Sequence, residues 1–363
     1  MCIRDRRNLV DRLEYTGNEA FIVLLNLFSG KNVLLVGPPG SGKTSLLRDL
    51  LEELGVSYRL VTGNPEWTPF DTIGGLLASG GVKKGFIFSV VEECKDLLKK
   101  EGKLYWLIID EINRANVDLA FGKFFTLLDP IHRKNEKLEI SGLREGEGYS
   151  VIVPYSFRIL ATMNNYDRAL LFKLGYALTR RFAVVNHAFL QELPKYCKQY
   201  ADKTLKNETV EKLIKRSEVR ERTLKIDFEK IRSELVECSS EIPYDCIAPI
   251  DFVKEVKKHS KDKWVEEVYS IDIHGSKIRV DAILASLVED VNEKLAGFKD
   301  CEVCPIQITP GVVADALKYI AVGVYAYKVG VEKIPCLAEG FVEDPSKRLL
   351  TYVLLLLDTA FST

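Results

Sequence analysis

The chain has 363 residues, of which 47 % are apolar and 28 % are charged, and this composition indicates a globular protein with one large core or two domains. Its 51 Lys and Arg residues balance 52 Asp and Glu residues. The net charge is therefore close to zero, and it creates no positive field that would favour sequence-independent binding to nucleic acid. Nucleic acid is neither implied nor excluded as a partner.

The N-terminal residues carry no targeting signal. The first of them, MCIRDRR, lack apolar periodicity, so residues 1–17 are predicted to be a poorly ordered tail. The run AFIVLLNLF that follows is far shorter than the ~20 apolar residues of a membrane span, and it is predicted to be a helix packed under the next strand. No membrane association is expected, and the cytoplasm is the predicted compartment.

Between residues 32 and 182, short apolar runs alternate with helical patterns, which is typical of a parallel sheet covered by helices. The predicted strands are NVLLV, SYRLVTG, KLYWLIID and SFRILATMN. The predicted helices are TSLLRDLLEELG, VVEECKDLLKKEG, VDLAFGKFFTLLD with Asn116 as its cap, and DRALLFKLGYAL. The segment 131–155 is predicted to be a projecting hairpin or loop. Helical patterns dominate after residue 186, so an α/β domain over residues 18–187 and a mostly helical domain over residues 188–363 are expected.

The sequence GPPGSGKT fits the phosphate-loop pattern G-x-x-x-x-G-K-[ST] and lies between a predicted strand and a predicted helix. Its glycines allow backbone N–H groups to face phosphate oxygens, and the helix N-terminus adds a favourable potential for the anion. Lys43 would reach the β and γ phosphates, and Thr44 would bind Mg²⁺. The predicted nucleotide-binding residues are Gly37, Pro38, Pro39, Gly40, Ser41, Gly42, Lys43 and Thr44.

Two carboxylates, Asp110 and Glu111, end the strand KLYWLIID and begin the stretch DEINRAN. At a strand end beside a phosphate loop, Asp110 would hold Mg²⁺ through water, and Glu111 would polarise the attacking water as a general base. Alone, the pair would equally fit a strand that turns into solvent. The phosphate loop upstream makes the functional interpretation the better one.

Three further residues are candidates for the same chemistry. Asn164, in ATMNN at the end of the next strand, would place a polar group between the γ-phosphate and water. Arg180 and Arg181, in TRRF, would stabilise charge on the transferring phosphoryl group, often from a neighbouring subunit. In isolation, the two arginines would be better explained as helix C-terminal charges that complement the helix dipole.

The eight cysteines are scattered apart from Cys301 and Cys304. That pair could be half of a zinc site or a redox couple. A structural zinc ion needs four ligands, however, and no second CxxC or HxxxH accompanies the pair, so a coincidence is favoured.

The segments GPPGSGKT, DEINRANVDLAFGKFFTLL, VPYSFRILATMN and DRALLFKLGYALTRRF together resemble AAA+ ATPases of the dynein-related and MoxR branch. Within that branch, the sequence is most similar to the GTP-driven motor of methylcytosine-dependent restriction systems, the McrB type. The resemblance implies a P-loop fold with a helical lid and an oligomeric ring, expected to be a hexamer. Asn164 would then be the sensor that positions water. Arg180 and Arg181 would be arginine fingers that serve the neighbour's site, and the hairpin at 131–155 would face the ring pore or a partner.

Three features depart from the family pattern. The segment QITPGVVADALKYI has Gly311 where the second sensor of the lid usually has an Arg, which weakens the expectation that the lid senses the γ-phosphate. Residues from about 192 to 295 match nothing in the family and are interpreted as an insertion. Only about 17 residues precede the motor, so the DNA-reading domain of restriction motors is expected to be absent or on another chain.

The predicted function is ATP hydrolysis with Mg²⁺ in a ring that remodels or translocates a protein or a nucleic acid. A partner nuclease or an adaptor subunit is a candidate second component. ATP is favoured because most proteins with these motifs hydrolyse it, although the N-x-x-D outline from Asn164 to Asp167 keeps GTP open. The alternatives are a GTP-hydrolysing McrB-type motor, a nucleotide-gated scaffold with little turnover and, less favoured, a small-molecule kinase.

Overall fold

The computed structural model describes residues 17–140, 149–164, 178, 180–187, 211, 226–273, 276–296, 308–329 and 345–362. The strands are β1 (Asn32–Gly37), β2 (Ser57–Thr62), β3 (Gly74–Leu76), β4 (Val82–Lys84), β5 (Tyr105–Asp110), β6 (Leu138–Glu139), β7 (Ser150–Val151), β8 (Ile159–Asn164), β9 (Phe182–Asn186), β10 (Ser270–Ile273) and β11 (Ser276–Arg279). The α-helices are α1 (Gly17–Phe28), α2 (Lys43–Leu54), α3 (Pro69–Thr72), α4 (Phe86–Glu101), α5 (Val117–Ala120), α6 (Phe124–Leu127), α7 (Phe228–Leu235), α8 (Ile250–Lys258), α9 (Lys261–Tyr269), α10 (Val280–Ala296), α11 (Pro310–Lys328) and α12 (Pro345–Ser362).

A five-stranded parallel sheet in the order β2-β5-β8-β1-β9 forms the centre of the N-terminal half. The middle of β5 is buried on both faces, as a central parallel strand requires. The register aligns Gly37 at the end of β1 with Asn164 at the end of β8, and Asp110 at the end of β5 with Thr62 at the end of β2. The carboxyl ends of these strands therefore share one edge of the sheet, where ligands bind in α/β folds.

The predicted strands and most predicted helices of this half are confirmed within one to four residues at their ends. Among the predicted helices of this half that the structure describes, VDLAFGKFFTLLD is the exception, because it is divided into α5 and α6. Gly122 between them has a φ of 48° and lies in the left-handed region, which interrupts the helical hydrogen bonds. Asn116 nevertheless caps α5 as predicted, since its side chain accepts a hydrogen bond from the Leu119 N–H group.

Two antiparallel hairpins accompany the parallel sheet. The pair β6 and β7 confirms the hairpin predicted within 131–155, although residues 141–148 at its tip lie outside the described residues. The pair β3 and β4 was not predicted from the sequence. Its connection, residues 77–81, is short and glycine-containing, and Leu76 and Leu77 are exposed there.

Helices α7 to α12 confirm the helical character of the C-terminal half, and β10 and β11 add a hairpin that the sequence did not predict. Cys238 and Cys246 form a disulfide bond in the loop before α8, which no sequence pattern predicted. The candidate pair Cys301 and Cys304 lies outside the described residues, as do the predicted tail up to residue 16 and most of the predicted helix DRALLFKLGYAL. Among the described helices, none combines the length and the apolar character needed to cross a membrane.

A buried cluster of polar residues connects the helical half to the loop that precedes β8. The Asp245 carboxylate accepts hydrogen bonds from the backbone N–H groups of Tyr155 and Ser156, at 2.9 and 2.8 Å. Nearby, the buried guanidinium groups of Arg133 and Arg158 donate mainly to backbone carbonyls, including that of Ile247 at 2.6 Å. Burial raises the pKa of Asp245 and lowers the pKa of both arginines.

Candidate functional site

The phosphate loop connects β1 to α2 at the carboxyl edge of the sheet. Gly40 and Gly42 have φ values of 72° and 84°, a conformation that glycine adopts without a Cβ penalty. Gly42 is also the N-terminal cap of α2, and no side chain occupies the cap hydrogen bond. The backbone N–H groups of the first helical turn therefore face the loop, which is the arrangement that binds phosphate.

His187, which no sequence pattern indicated, contacts this loop from the end of β9. The residue directly follows β9 and is buried, and its Nε2 lies 2.7 Å from the carbonyl oxygen of Ser41. A Cβ on Gly37 would lie 3.0 Å from the Cβ of His187. The close approach of β9 to the loop therefore favours glycine at position 37.

The Lys43 ammonium group lies between the phosphate loop and Asn164. Its Nζ donates to the carbonyl oxygens of Gly37 and Pro38, at 3.1 and 2.6 Å, and to Oδ1 of Asn164 at 3.1 Å. Burial lowers the pKa of Lys43, while the nearby carboxylates of Asp110 and Glu111 raise it by smaller amounts.

Asp110 and Thr44 form the candidate magnesium site. The Thr44 hydroxyl donates to Asp110 Oδ1 at 2.6 Å, and the Thr162 hydroxyl donates to the same oxygen at 2.6 Å. A carboxylate and a hydroxyl beside a phosphate loop are hard oxygen ligands, and Mg²⁺ usually takes one or two of these and completes its shell with water and phosphate oxygens. The residues present therefore fit a magnesium ion that is bound together with a nucleotide.

Glu111 occupies a constrained position next to this site. Its φ of 50° lies in the left-handed region, which is uncommon for a residue other than glycine. The Glu111 N–H group donates to the Thr162 hydroxyl oxygen at 3.0 Å, and this bond fixes the turn after β5. The carboxylate accepts from Asn164 Nδ2 at 2.7 Å and from Arg114 Nη1 at 2.9 Å. Asn164 therefore joins Lys43 to Glu111 directly.

Arg180 and Arg181 lie at the opposite end of the sheet. They immediately precede β9, whose first residue, Phe182, pairs with Asn32 at the start of β1. The phosphate loop begins five residues later along β1, a distance of about 17 Å, which is longer than an Arg side chain. Arg180 is exposed, whereas the Arg181 guanidinium lies 4.5 Å from the centre of the Phe125 ring. Neither arginine lies beside the phosphate loop of its own chain.

The structure thus brings the predicted phosphate loop, the two carboxylates and Asn164 together at one end of the sheet. It places the two arginines at the opposite end. Three neighbours were missed: Thr162, Arg114 and His187. Thr162 could have been found, because it is two residues before Asn164 and so lies on the same face of β8. Arg114 could have been found from its spacing of three residues from Glu111. His187 carries no local signal.

Residues 32–182 match the family model described as the AAA domain of the dynein-related subfamily. No curated protein matches the chain. Among solved structures, the chain is similar to an inferred ATPase from Cytophaga hutchinsonii, with 16 % sequence identity, a TM-score of 0.35 and coverage of 82 % of this chain and 81 % of that one. The family match spans the phosphate loop, both carboxylates, Asn164 and both arginines.

The parallel sheet, its strand order and the nucleotide-binding loop agree with that match. Over residues 32–182, the chain thus matches the AAA domain of the dynein-related subfamily, a nucleotide-binding domain with the P-loop fold.

Proposed function

We propose that this chain is a Mg²⁺-dependent nucleoside triphosphatase that hydrolyses ATP in an oligomeric ring, with the hexamer as the expected form. In this proposal, hydrolysis drives the remodelling or translocation of a protein or nucleic-acid partner. The observation that carries the proposal is the hydrogen-bonded series Lys43, Asn164 and Glu111, which joins a phosphate-binding cation to a general base.

Each residue of the site then has a distinct task. Lys43 and the loop N–H groups bind the phosphates, and Thr44 and Asp110 hold Mg²⁺, which neutralises charge that develops on the phosphate oxygens. Glu111 accepts the proton of the attacking water. Asn164, within hydrogen-bond distance of both Lys43 and Glu111, orients that water relative to the γ-phosphate.

The position of the two arginines supports a ring. A transferring phosphoryl group is commonly stabilised by an Arg from a neighbouring subunit. Arg180 is exposed at the end of the sheet far from its own phosphate loop, and this position favours action on a neighbour's site. Arg181 packs against the Phe125 ring and would stabilise the turn that carries Arg180.

The proposal assigns residues 18–187 to the motor and residues 188–363 to the lid, with an insertion within 192–295. The expected compartment is the cytoplasm, and the partner is expected to be a protein or a nucleic acid, with a nuclease or an adaptor subunit as candidates. GTP remains the alternative substrate, as in an McrB-type motor. Comparison of the affinities and turnover numbers for ATP and GTP under the same conditions decides between them.

The central experiment compares wild type with Glu111→Gln. The variant should bind ATP with unchanged affinity and lose turnover by at least about 100-fold, because an amide cannot accept the proton. Glu101→Gln removes a carboxylate at the exposed end of α4 and serves as the matched control with normal turnover. Turnover by Glu111→Gln equal to that of wild type would contradict the assignment of the base.

Three further measurements separate the other functional classes. ATP binding without hydrolysis by wild type, at concentrations where rings form, would indicate a nucleotide-gated scaffold. Phosphate transferred to an acceptor other than water would indicate a kinase. A chain that stays monomeric with and without nucleotide, measured as mass in solution, would contradict the role of Arg180 in trans.

A further inference from the structure

Two consecutive residues at the start of β1 hold the backbone of the two arginines that precede β9. Lys31 Nζ donates to the carbonyl oxygen of Arg180 at 3.3 Å, and Asn32 Nδ2 donates to the carbonyl oxygen of Arg181 at 3.2 Å. Asn32 is buried, and its Oδ1 accepts the Ile159 N–H group at 2.9 Å. Asn32 is therefore fixed within the sheet, whereas Lys31 lies at its surface.

Lys31 also contacts the helical half of the chain. Its Nζ lies 2.5 Å from Oδ2 of Asp315 on α11. Asp315 lies 3.4 Å from the ammonium group of Lys318, which in turn forms an ion pair with Glu234 on α7. The Lys31 ammonium group thus bonds at the same time to the backbone of Arg180 and to α11.

A second contact brings α11 to the same arginine. A Cβ on Gly311, in the first turn of α11, would lie 3.5 Å from Nη2 of Arg180. That first turn contains no acidic residue that would form an ion pair with the guanidinium group. The N-terminal end of α11 therefore lies against the side chain of Arg180, while Lys31 holds the backbone of Arg180.

The Lys31–Asp315 pair is more than a surface ion pair. The two side chains are 24 % and 35 % exposed, so both are partly shielded from water. Burial would raise the pKa of the Asp315 carboxyl, but Lys31 and Lys318 outweigh it and hold that pKa below its usual value. Asp315 is therefore charged throughout the neutral range.

We propose that Lys31 is a positioning residue for Arg180: it ties the Arg180 backbone to Asp315, so that the placement of α11 sets where the Arg180 side chain projects toward a neighbouring subunit. This inference rests on the proposed function, in which Arg180 acts on the neighbour's nucleotide. The placement of a catalytic group matters strongly, because a shift of about 1 Å can lower a rate by as much as 100-fold.

The first test uses Lys31→Met, which keeps an unbranched side chain one atom shorter than that of Lys and removes its charge, and Asp315→Asn. Each variant should lower kcat by about tenfold and leave the affinity for ATP within about twofold, because the nucleotide contacts of the same chain are untouched. The double variant should be no worse than either single variant, since both remove the same link. Lys31→Arg should retain most of the activity.

Lys258→Met is the matched control. It removes a Lys–Glu pair of 2.9 Å on α8 that does not contact Arg180, and its kcat should equal that of wild type. Melting temperatures are recorded for all variants. If Lys31→Met fails to fold, Asp315→Asn and Lys31→Arg carry the test. Normal kcat in Asp315→Asn, or kcat losses that add in the double variant, would overturn the inference.

The decisive test mixes subunits. Lys31→Met subunits keep their own Glu111, and Glu111→Gln subunits keep their own Lys31 and Arg180. In mixed rings, a Lys31→Met subunit can receive an intact Arg180 from a Glu111→Gln neighbour. Hydrolysis per Lys31→Met subunit should therefore rise when Glu111→Gln subunits are added, and the same rise is expected for Arg180→Ala subunits.

The outcomes separate the inference from the function on which it rests. Restored activity for both Arg180→Ala and Lys31→Met supports the inference. Restored activity for Arg180→Ala alone overturns the positioning role of Lys31 and leaves the proposed function in place. Restored activity for neither variant contradicts action of Arg180 in trans, and the inference falls with it.

Discussion

The side-chain amide of Asn164 donates a hydrogen bond to the carboxylate of Glu111, with 2.7 Å between Nδ2 and Oε1. The other end of the same amide accepts a hydrogen bond from Lys43. One short polar side chain at the end of β8 thus fixes the relative positions of the candidate base and the phosphate-binding cation.

Replacement of Asn164 with Ala should remove both bonds. We expect kcat to fall by about 100-fold, the usual loss when one preorganised polar group of a catalytic site is deleted, while ATP still binds to the loop. Single-turnover hydrolysis and equilibrium ATP binding measure the two effects separately. A loss of ATP affinity as large as the loss of kcat would mean that Asn164 serves binding rather than hydrolysis.

The Thr162 hydroxyl should be as important as the predicted residues, because it donates to Asp110 and accepts from the Glu111 N–H group. Thr162→Val should lower the free energy of unfolding by about 1–2 kcal/mol and should also reduce Mg²⁺-dependent hydrolysis. Thr72→Val is the matched control, because the Thr72 hydroxyl is buried and donates to the Ala120 carbonyl. Chemical denaturation should show similar losses for both variants. Equal hydrolysis by the two variants would contradict a role for Thr162 in the site.

ATP binding should weaken at alkaline pH because of Lys43. Burial lowers the pKa of Lys43 in the free protein, and bound phosphate would raise it, so the protonated form binds ATP more tightly. The affinity should be constant below the free-protein pKa and should fall as the pH rises through that value. Calorimetry from about pH 7 to pH 10, in buffers with different ionisation enthalpies, should show proton uptake on binding at the alkaline end. Lys43→Arg, which stays protonated, should remove the uptake, and an unchanged uptake in that variant would exclude Lys43 as the group.

The Asp245 cluster should stabilise the contact between the helical half and the sheet. Asp245→Ala leaves two buried N–H groups unpaired and removes the anion near Arg133 and Arg158, so a loss of about 3 kcal/mol in the free energy of unfolding is expected. Ser156→Ala removes only the hydroxyl that donates to Asp245 at 2.7 Å and should cost about 1 kcal/mol. Urea denaturation measures both losses, and equal losses would show that the anion itself contributes nothing.

Much of the nucleotide site could be predicted from the sequence because its signals are local. The phosphate loop is a continuous segment, and Asp110, Glu111 and Asn164 each follow an apolar strand, so parallel strands bring their ends together. Helix α2 likewise follows from leucine periodicity and ends at Gly55, whose φ is 64°. The apolar pattern wrongly predicted one continuous helix around Gly122. The left-handed backbone conformation of that residue divides the helix in two.

The sequence by itself determined the class of fold, the phosphate loop and the order of the residues that carry the chemistry. Only the tertiary structure placed Arg180 at the far end of the sheet and joined it to Lys31, 149 residues away, and through Lys31 to Asp315, 284 residues from Lys31. Periodicity and motifs report interactions within one turn or one strand. A contact between residues so distant in the chain depends on how the helices pack against the sheet, and no local pattern encodes that packing.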